Sequence, residues 1–340
     1  MTRNRYTPRG IVLVPSFECT ARCRHCNNDF DSPRAAGAMD TQKAQDILEE
    51  AKQNHISSLQ LAGGEITHRP EFTAAVIRRA LALKMKVHKP PTNCFIGQDR
   101  RAAAGFFKSL RECGYTSGFR ISIDPYHNGK IPLSYISAFI KEYSEFFSPS
   151  SLTIGSCYYD KREIFSLYDR LIILLIQEGF KDVSYSPEKK RFLLDGSSIK
   201  FGIWKPTRPS WKPLEDSEVD LKILETTRAC LGPKGMGYLW IEPSLDVRLC
   251  SCNGGMFNNC LLAGNLGKES LASIIAKARQ NPLITILANE GPAGLRRELN
   301  REEPVLDVSK KYTHMCELCC EILNNKEFVS RLLDAPEEAD

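Results

Sequence analysis

A chain of 340 residues, 42% hydrophobic and 26% charged, has the size and composition of one large globular domain with a smaller appendage, which excludes a disordered or fibrous protein. Its longest apolar run, Leu171 to Ile176, falls far short of the roughly 18 residues of a membrane span, and the basic start MTRNRYTPRG lacks the apolar stretch and cleavage site of a signal peptide. The net charge of +5 is spread along the chain, and the nearest approach to a basic run, Lys189-Lys190-Arg191, is short. Neither a membrane nor a nucleic acid is therefore expected as a partner, and a cytoplasmic location is.

The predicted elements alternate. Ile11 to Val14 reads as a buried strand, and Asp40-Thr41 as the cap of a helix running to about Asn54. A strand at Leu59 to Leu61 precedes a helix from Pro70, a proline suited to a first turn, to Leu83. Lys86-Val87-His88 starts a third strand, followed by a helix from Arg100 to Cys113 closed by Gly114. Then come a strand at Phe119 to Ile123, a helix at Leu133 to Phe147, a strand at Leu152 to Ile154, a helix at Glu163 to Glu178 closed by Gly179, and a strand at Val183 to Tyr185. Strands alternating with helices imply βαβ crossovers and a mainly parallel sheet. Six such units are too few for a full eight-unit barrel and suit an open, partial one.

Residues 190–225 read as a connector rich in Pro and Trp, with a hairpin possible at Asp195-Gly196. Beyond Cys230 the pattern changes to glycine, asparagine and cysteine, followed by amphipathic helices and an acidic tail from Pro336 to Asp340. The expected division is 1–189, 190–225 and 226–334.

Thirteen cysteines in a chain without an export signal point to metal ligands rather than structural disulfides. They fall into two groups, Cys19 to Cys26 and Cys230 to Cys320, with Cys94, Cys113 and Cys157 alone between them. Cys19, Cys23 and Cys26 directly follow the first strand. Three thiolates within eight residues can wrap one iron–sulfur cluster and leave one iron without a protein ligand. The competing reading is zinc, which needs a fourth ligand from His25 or a distant residue.

This CxxxCxxC loop after the first strand of a βα repeat resembles the signature of the radical S-adenosylmethionine (SAM) superfamily, with His25 where that family favours a ring side chain. Further motifs match in order. Ala62-Gly63-Gly64-Glu65 resembles the GGE motif that holds the SAM amino group, the glycines permitting close backbone approach to the ligand and Glu65 accepting from the ammonium. Thr92-Asn93-Cys94 resembles TNG with cysteine in place of glycine. Arg120 to Asp124 resembles the fourth strand, whose polar residues, here Ser122 and Asp124, face SAM; the same two residues also suit a helix cap or turn. Asp124-Pro125-Tyr126-His127 resembles a phrase on the family's substrate side. The resemblance covers residues 10–187. It implies a partial (β/α)6 TIM-like barrel, a [4Fe-4S] cluster on Cys19, Cys23 and Cys26, SAM bound by Gly63, Gly64, Glu65, Asn93, Ser122 and Asp124, and a 5′-deoxyadenosyl radical that removes a hydrogen atom from substrate. A flavodoxin- or ferredoxin-type protein would supply the electron.

Cys230, Cys250, Cys316 and Cys319 form a second constellation, the first two flanking an expected hairpin and the CxxC opening a helix. This resembles the Twitch domain, the short form of the SPASM extension, and implies an auxiliary [4Fe-4S] cluster in a small cysteine-rich α+β domain. Structural zinc is the alternative, and Cys252, Cys260 and Cys320 are additional thiols.

Two reactions follow from such a layout. A substrate radical could be oxidised through the second cluster, giving dehydrogenation, or quenched by a thiol, giving epimerisation, with Cys252 and Cys260 as candidate donors. The short lead before the first strand favours a small natural-product precursor, or a peptide delivered by a partner, over a fused peptide-recognition domain. Peptide maturation by crosslinking and a non-enzymatic iron–sulfur or zinc scaffold are the other readings.

Overall fold

The computed structural model describes residues 6–26, 28, 36–158, 160–205, 222–223, 230–231, 237–250, 258–301, 305–307 and 309–334. The chain divides into two compact units, one of residues 13–49 and 58–206, the other of residues 1–12, 50–57 and 207–340.

The elements run β1 (Gly10–Leu13), α1 (Thr41–Gln53), β2 (Ser58–Leu61), α2 (Pro70–Ala82), β3 (Lys86–Val87), β4 (Pro91–Thr92), α3 (Arg100–Glu112), β5 (Arg120–Ser122), α4 (Pro125–Asn128), α5 (Leu133–Ser144), β6 (Thr153–Cys157), α6 (Lys161–Gln177), β7 (Val183–Ser186), β8 (Arg191–Leu194) and β9 (Ser197–Trp204). Helices start where the chemistry provides a cap: Asp99 accepts from Ala102 N at 3.0 Å before α3, and Asp160 from Arg162 N at 2.9 Å before α6.

In the first unit β4, β5, β6 and β9 are parallel neighbours, extended by β8 and β7 in antiparallel pairing. Ile121, Ile154 and Phe201 share one register across β5, β6 and β9 and are all buried. With a side-chain period of two, this is the helix-covered face. The aromatic residues Phe107, Phe119, Phe139 and Tyr143 pack edge to face in the same core.

Two expectations about the strands need correction. The third strand is split: β3 pairs with β2, β4 with β5, and Pro90 before β4 and Pro91 at its start cannot donate to a continuous ladder. The sixth parallel position is held by β9 rather than by Val183 to Tyr185, which form β7 at the antiparallel edge. Residues 191–204, read as connector, therefore belong to the sheet. The hairpin at Asp195-Gly196 joins β8 to β9, with φ of 43° and 76° at the two turn residues.

The second unit contains β10 (Lys222–Ile223), β11 (Tyr238–Ile241), β12 (Asp246–Arg248), β13 (Leu262–Asn265), α7 (Leu271–Gln280), α8 (Pro282–Asn289), α9 (Pro292–Leu299), β14 (Lys311–Tyr312), α10 (Met315–Leu323) and α11 (Lys326–Asp334). β11, β12 and β13 form an antiparallel meander with a bulge at Val247/Arg248, and β10 pairs with β14. The expected hairpin is β11–β12. Under it Arg248 Nε donates to Glu242 Oε1 at 3.0 Å, both side chains being almost wholly buried. Among the described residues no helix is long and apolar enough to cross a membrane. The α/β class expected from the sequence is the class observed.

Candidate functional site

The first cysteine loop begins where β1 ends, and its frame is set by backbone. Ala62 N donates to Leu13 O at 3.1 Å, Gly64 N to Ser16 O at 2.9 Å and Glu65 N to Glu18 O at 2.8 Å. These bonds seat the Gly63-Gly64-Glu65 turn against residues 13–18. A Cβ on Gly64 would lie 2.0 Å from Glu18 O, and one on Gly63, at φ +116°, would lie 2.6 Å from Ser16 O. The glycines are thus required by approach to the chain that leads into the cysteines, a different reason from the ligand approach read from the sequence. Arg69 braces the same frame, donating from Nη1 to Pro15 O at 2.9 Å and to Met39 O at 2.7 Å.

Cys23 is buried, and Cys19 and Cys26 are half-buried. The three pack around Ala21 and Ile131, with Phe95, Tyr126 and Tyr135 at the edge. Burial pushes the Cys19 thiol up; burial first, then Cys26 and Asp124, pushes Cys23 up further. Thiols so held bind a soft metal by releasing protons. Their spacing bears on which metal. Among the described residues, the one set of three or more His, Cys, Asp or Glu ligand atoms lying within 4.8 Å of one another is His25, Asp124 and His127. The cysteine sulfurs are spread more widely, whereas one zinc, at about 2.3 Å from each sulfur, would gather them. A shielded set of three soft donors at wider spacing fits a [4Fe-4S] cluster.

Glu65 is buried in a dense hydrogen-bond network. Its Oε1 accepts from Thr67 N at 3.0 Å, Thr67 Oγ1 at 2.7 Å and Thr92 Oγ1 at 2.8 Å, and its Oε2 from Asn93 N at 2.6 Å. It therefore locks the glycine turn to β4, and Oε2 alone keeps accepting capacity. Asn93 accepts from Phe95 N at 2.9 Å and points Nδ2 at Cys19 Sγ, 3.7 Å away. Cys94 stands at φ 66°, ψ 24°, the left-handed conformation that explains why glycine suits this position of the motif.

Asp124 is the N-cap of α4: Oδ1 accepts from His127 N at 3.0 Å and faces His127 Nδ1 at 2.8 Å, while Oδ2 accepts from Cys157 N at 3.1 Å. Burial opposes its charge, but the bonds and charge of His127 outweigh this and hold the carboxyl below its ordinary range. Ser122 is half-buried at the end of β5. His25 Nδ1 and Tyr126 Oη are enclosed beside this cap. The rings of His25 and Tyr126 are 4.5 Å apart. Burial, then His127, lowers His25 to about 4. Sequence reasoning missed Thr67, the brace from Asn28 Nδ2 to Gly63 O, and the approach of Cys157 to Asp124. Only the nearness of Asn28 to the cysteine run could have hinted at one of these.

In the second unit Cys230 lies against Leu287, its backbone N donating to Leu287 O at 3.3 Å. Cys250 is buried just after β12. Cys316 and Cys319 lie on α10, capped by His314, with Cys319 buried. The four do not form a ligand set as tight as His25, Asp124 and His127. Cys260 sits in a 3-10 turn at Asn259–Leu261 and points its thiol at Leu323 O, 3.7 Å away. Cys320 is pushed up to about 11 by burial and by Glu317. Cys252 lies outside the described residues. No disulfide joins the described cysteines.

Residues 10–96 match the family model of the 4Fe-4S single cluster domain. No curated protein matches the chain in sequence. Among solved structures, Streptococcus suis SuiB bound to S-adenosylmethionine is similar at a TM-score of 0.52 and 15% identity, over 89% of this chain and 77% of that one. SuiB bound to the precursor peptide SuiA is similar at 0.50 and 13%, over 89% and 76%. A structure of anSMEcpe with AdoMet and the Cp18Cys peptide stands at 0.49 and 12%, over 94% and 97%. The chain thus has the fold of the radical S-adenosylmethionine enzymes, and its residues 10–96 are similar to the 4Fe-4S single cluster domain.

Proposed function

We propose that the protein is a radical SAM enzyme that abstracts a hydrogen atom from a natural-product precursor, completing the reaction by dehydrogenation or epimerisation. The observation that carries this is the junction of three elements: the cysteine loop, the glycine turn seated on it, and Asn93 facing Cys19, all fixed through Glu65. Cys19, Cys23 and Cys26 would hold a [4Fe-4S] cluster, and Gly63, Gly64, Glu65, Asn93, Ser122 and Asp124 would surround SAM. Bound there, cluster and SAM supply a 5′-deoxyadenosyl radical. The chain's own part is to orient and to exclude water: Glu65 fixes the turn, and Ala21, Ile131 and Phe95 shield the thiols. A flavodoxin- or ferredoxin-type donor would deliver the electron.

Cys230, Cys250, Cys316 and Cys319 would hold the auxiliary [4Fe-4S] cluster. Cys252 and Cys260 remain candidate hydrogen-atom donors; burial keeps the Cys260 thiol protonated, the form a donor needs. A peptide substrate is the second reading, favoured by the fold shared with SuiB, whose structure holds its precursor peptide. The test is anaerobic formation of 5′-deoxyadenosine by reconstituted protein. It should vanish when Cys19, Cys23 and Cys26 are replaced by Ala. Its persistence in that variant would remove the assignment, and its absence in the wild type would favour an iron–sulfur or zinc scaffold.

A further inference from the structure

The face of the β5–β6–β9 sheet opposite Ile121, Ile154 and Phe201 carries cations with no acidic partner among the described residues. Arg120, Thr153 and Lys200 share one register on it. One step along, Ser122, Gly155 and Gly202 share the next alternate register, so the face continues to the SAM motif. Gly155 and Gly202 make a floor for the Trp204 indole. A Cβ on either would lie 2.9 Å from that ring, and one on Gly155 would also lie 3.7 Å from Cγ and Cδ of Arg120. The Arg120 stem thus runs along the strand over Gly155, bringing its guanidinium toward Cys157. Trp204 keeps 44% of its surface exposed beside it.

Arg120 is solvent-accessible, yet desolvation draws its guanidinium down, as for a group that water reaches but protein surrounds. None of the ion pairs involves it, Lys89 or Lys200, among the described residues. Lys89 lies two residues before Pro91, the register partner of Arg120. Burial and then the charge of Lys200 draw Lys89 down, so these two ammonium groups repel each other across the face although two strands, β5 and β6, lie between β4 and β9. Arg120 and Lys200 stand two strands apart, about 10 Å between backbones. The Arg120 head turns one way along the strands while Lys89 lies the other way. There are accordingly two cationic loci, too separated for one tetrahedral anion to satisfy both.

We propose that this face binds a substrate carrying two separate carboxylates, one received by the Arg120 fork beside Trp204 and the other by Lys89 and Lys200. Guanidinium geometry suits two coplanar oxygens, and an anion between two lysines removes their repulsion. This rests on the proposed function only in treating the face beyond Ser122 as the substrate side.

Calorimetric titration of the reconstituted full chain with adipate, hexanoate, inorganic phosphate and SAM tests it. Adipate should bind at least tenfold tighter than hexanoate, which has the same length and one carboxylate. Arg120→Gln and Lys200→Gln should each reduce adipate to the hexanoate level and leave SAM binding unchanged, and Arg120→Lys should restore part of the gap. Equal binding of adipate and hexanoate overturns the proposal. So does phosphate binding as tightly as adipate, or weakened SAM binding in Arg120→Gln, which would place Arg120 in the cofactor site. Should Arg120→Gln fail to fold, the exposed Lys200→Gln carries the test. The adipate pattern without 5′-deoxyadenosine formation would sink the proposed reaction and not this site; the converse would sink only the site.

Discussion

The two cysteine groups are built differently. Cys19, Cys23 and Cys26 sit in one loop whose shape is fixed by short-range contacts: the Cys26 N to Cys23 O turn at 3.0 Å, the glycine turn, and the Glu65 network. Cys230, Cys250 and the Cys316–Cys319 pair of α10 come from three separate segments that only the packing of the second unit brings to their places. Closing such long loops costs more chain entropy, so a cluster held by distant ligands contributes more to the folding of its unit than one held in a single loop. The first group should therefore be mainly a catalytic site on a frame that stands without metal, and the second a site coupled to its own fold.

The largest expected effects separate the two. Replacing Cys316 and Cys319 with Ser should lower iron from about eight to about four per chain, the content of one cubane. The same change should shift thermal unfolding markedly and leave 5′-deoxyadenosine formation in place. Replacing Cys19, Cys23 and Cys26 with Ala should lose the same iron, abolish 5′-deoxyadenosine, and barely move the melting curve. Stoichiometric zinc in place of the remaining iron in the second variant would make the second site a zinc knuckle and end the comparison as drawn.

Smaller effects sharpen it. Arg248→Met breaks the buried Arg248–Glu242 ion pair and should cost about 3–5 kcal/mol in denaturant unfolding of the second unit. Gly64→Ala drives a Cβ into the Glu18 carbonyl. It should cost about 1–3 kcal/mol, as overpacking does, and also weaken iron retention at Cys19, Cys23 and Cys26, which a merely local strain would not. The smallest effect is at Asp195. The backbone N–H groups of Asp182 and Lys181 hold its carboxyl below the ordinary range. A depressed carboxyl contributes stability above its unfolded pKa and loses it as pH falls through its folded one. Asp195→Asn should lower stability slightly at neutral pH and leave it unchanged at acid pH, so that the acid-side loss becomes smaller.

The sequence disclosed most where structure is local. The strand alternation, the Asp195-Gly196 turn and the cysteine loop are all legible because each depends on neighbours in the chain. The exchange of β7 for β9 was not, because a strand's parallel partner is chosen by packing over tens of residues. Nor was the bracing role of Glu65, beside its reading as an acceptor from an ammonium: its four donors come from Thr67, Thr92 and Asn93, and only the fold brings the last two residues to it. Cys94 is instructive in both directions. Its departure from glycine is plain in the sequence, while the left-handed backbone that glycine would relieve is visible only in the fold.

The central claim is that the first loop holds a cluster with one iron left open for SAM. Electron paramagnetic resonance of the reduced Cys316→Ser/Cys319→Ser variant, with and without SAM, tests it most directly, since the first cluster would then give the signal alone. The account predicts a [4Fe-4S]+ signal whose g-values shift when SAM is added. A signal indifferent to SAM, or none from an iron-loaded sample, would contradict it.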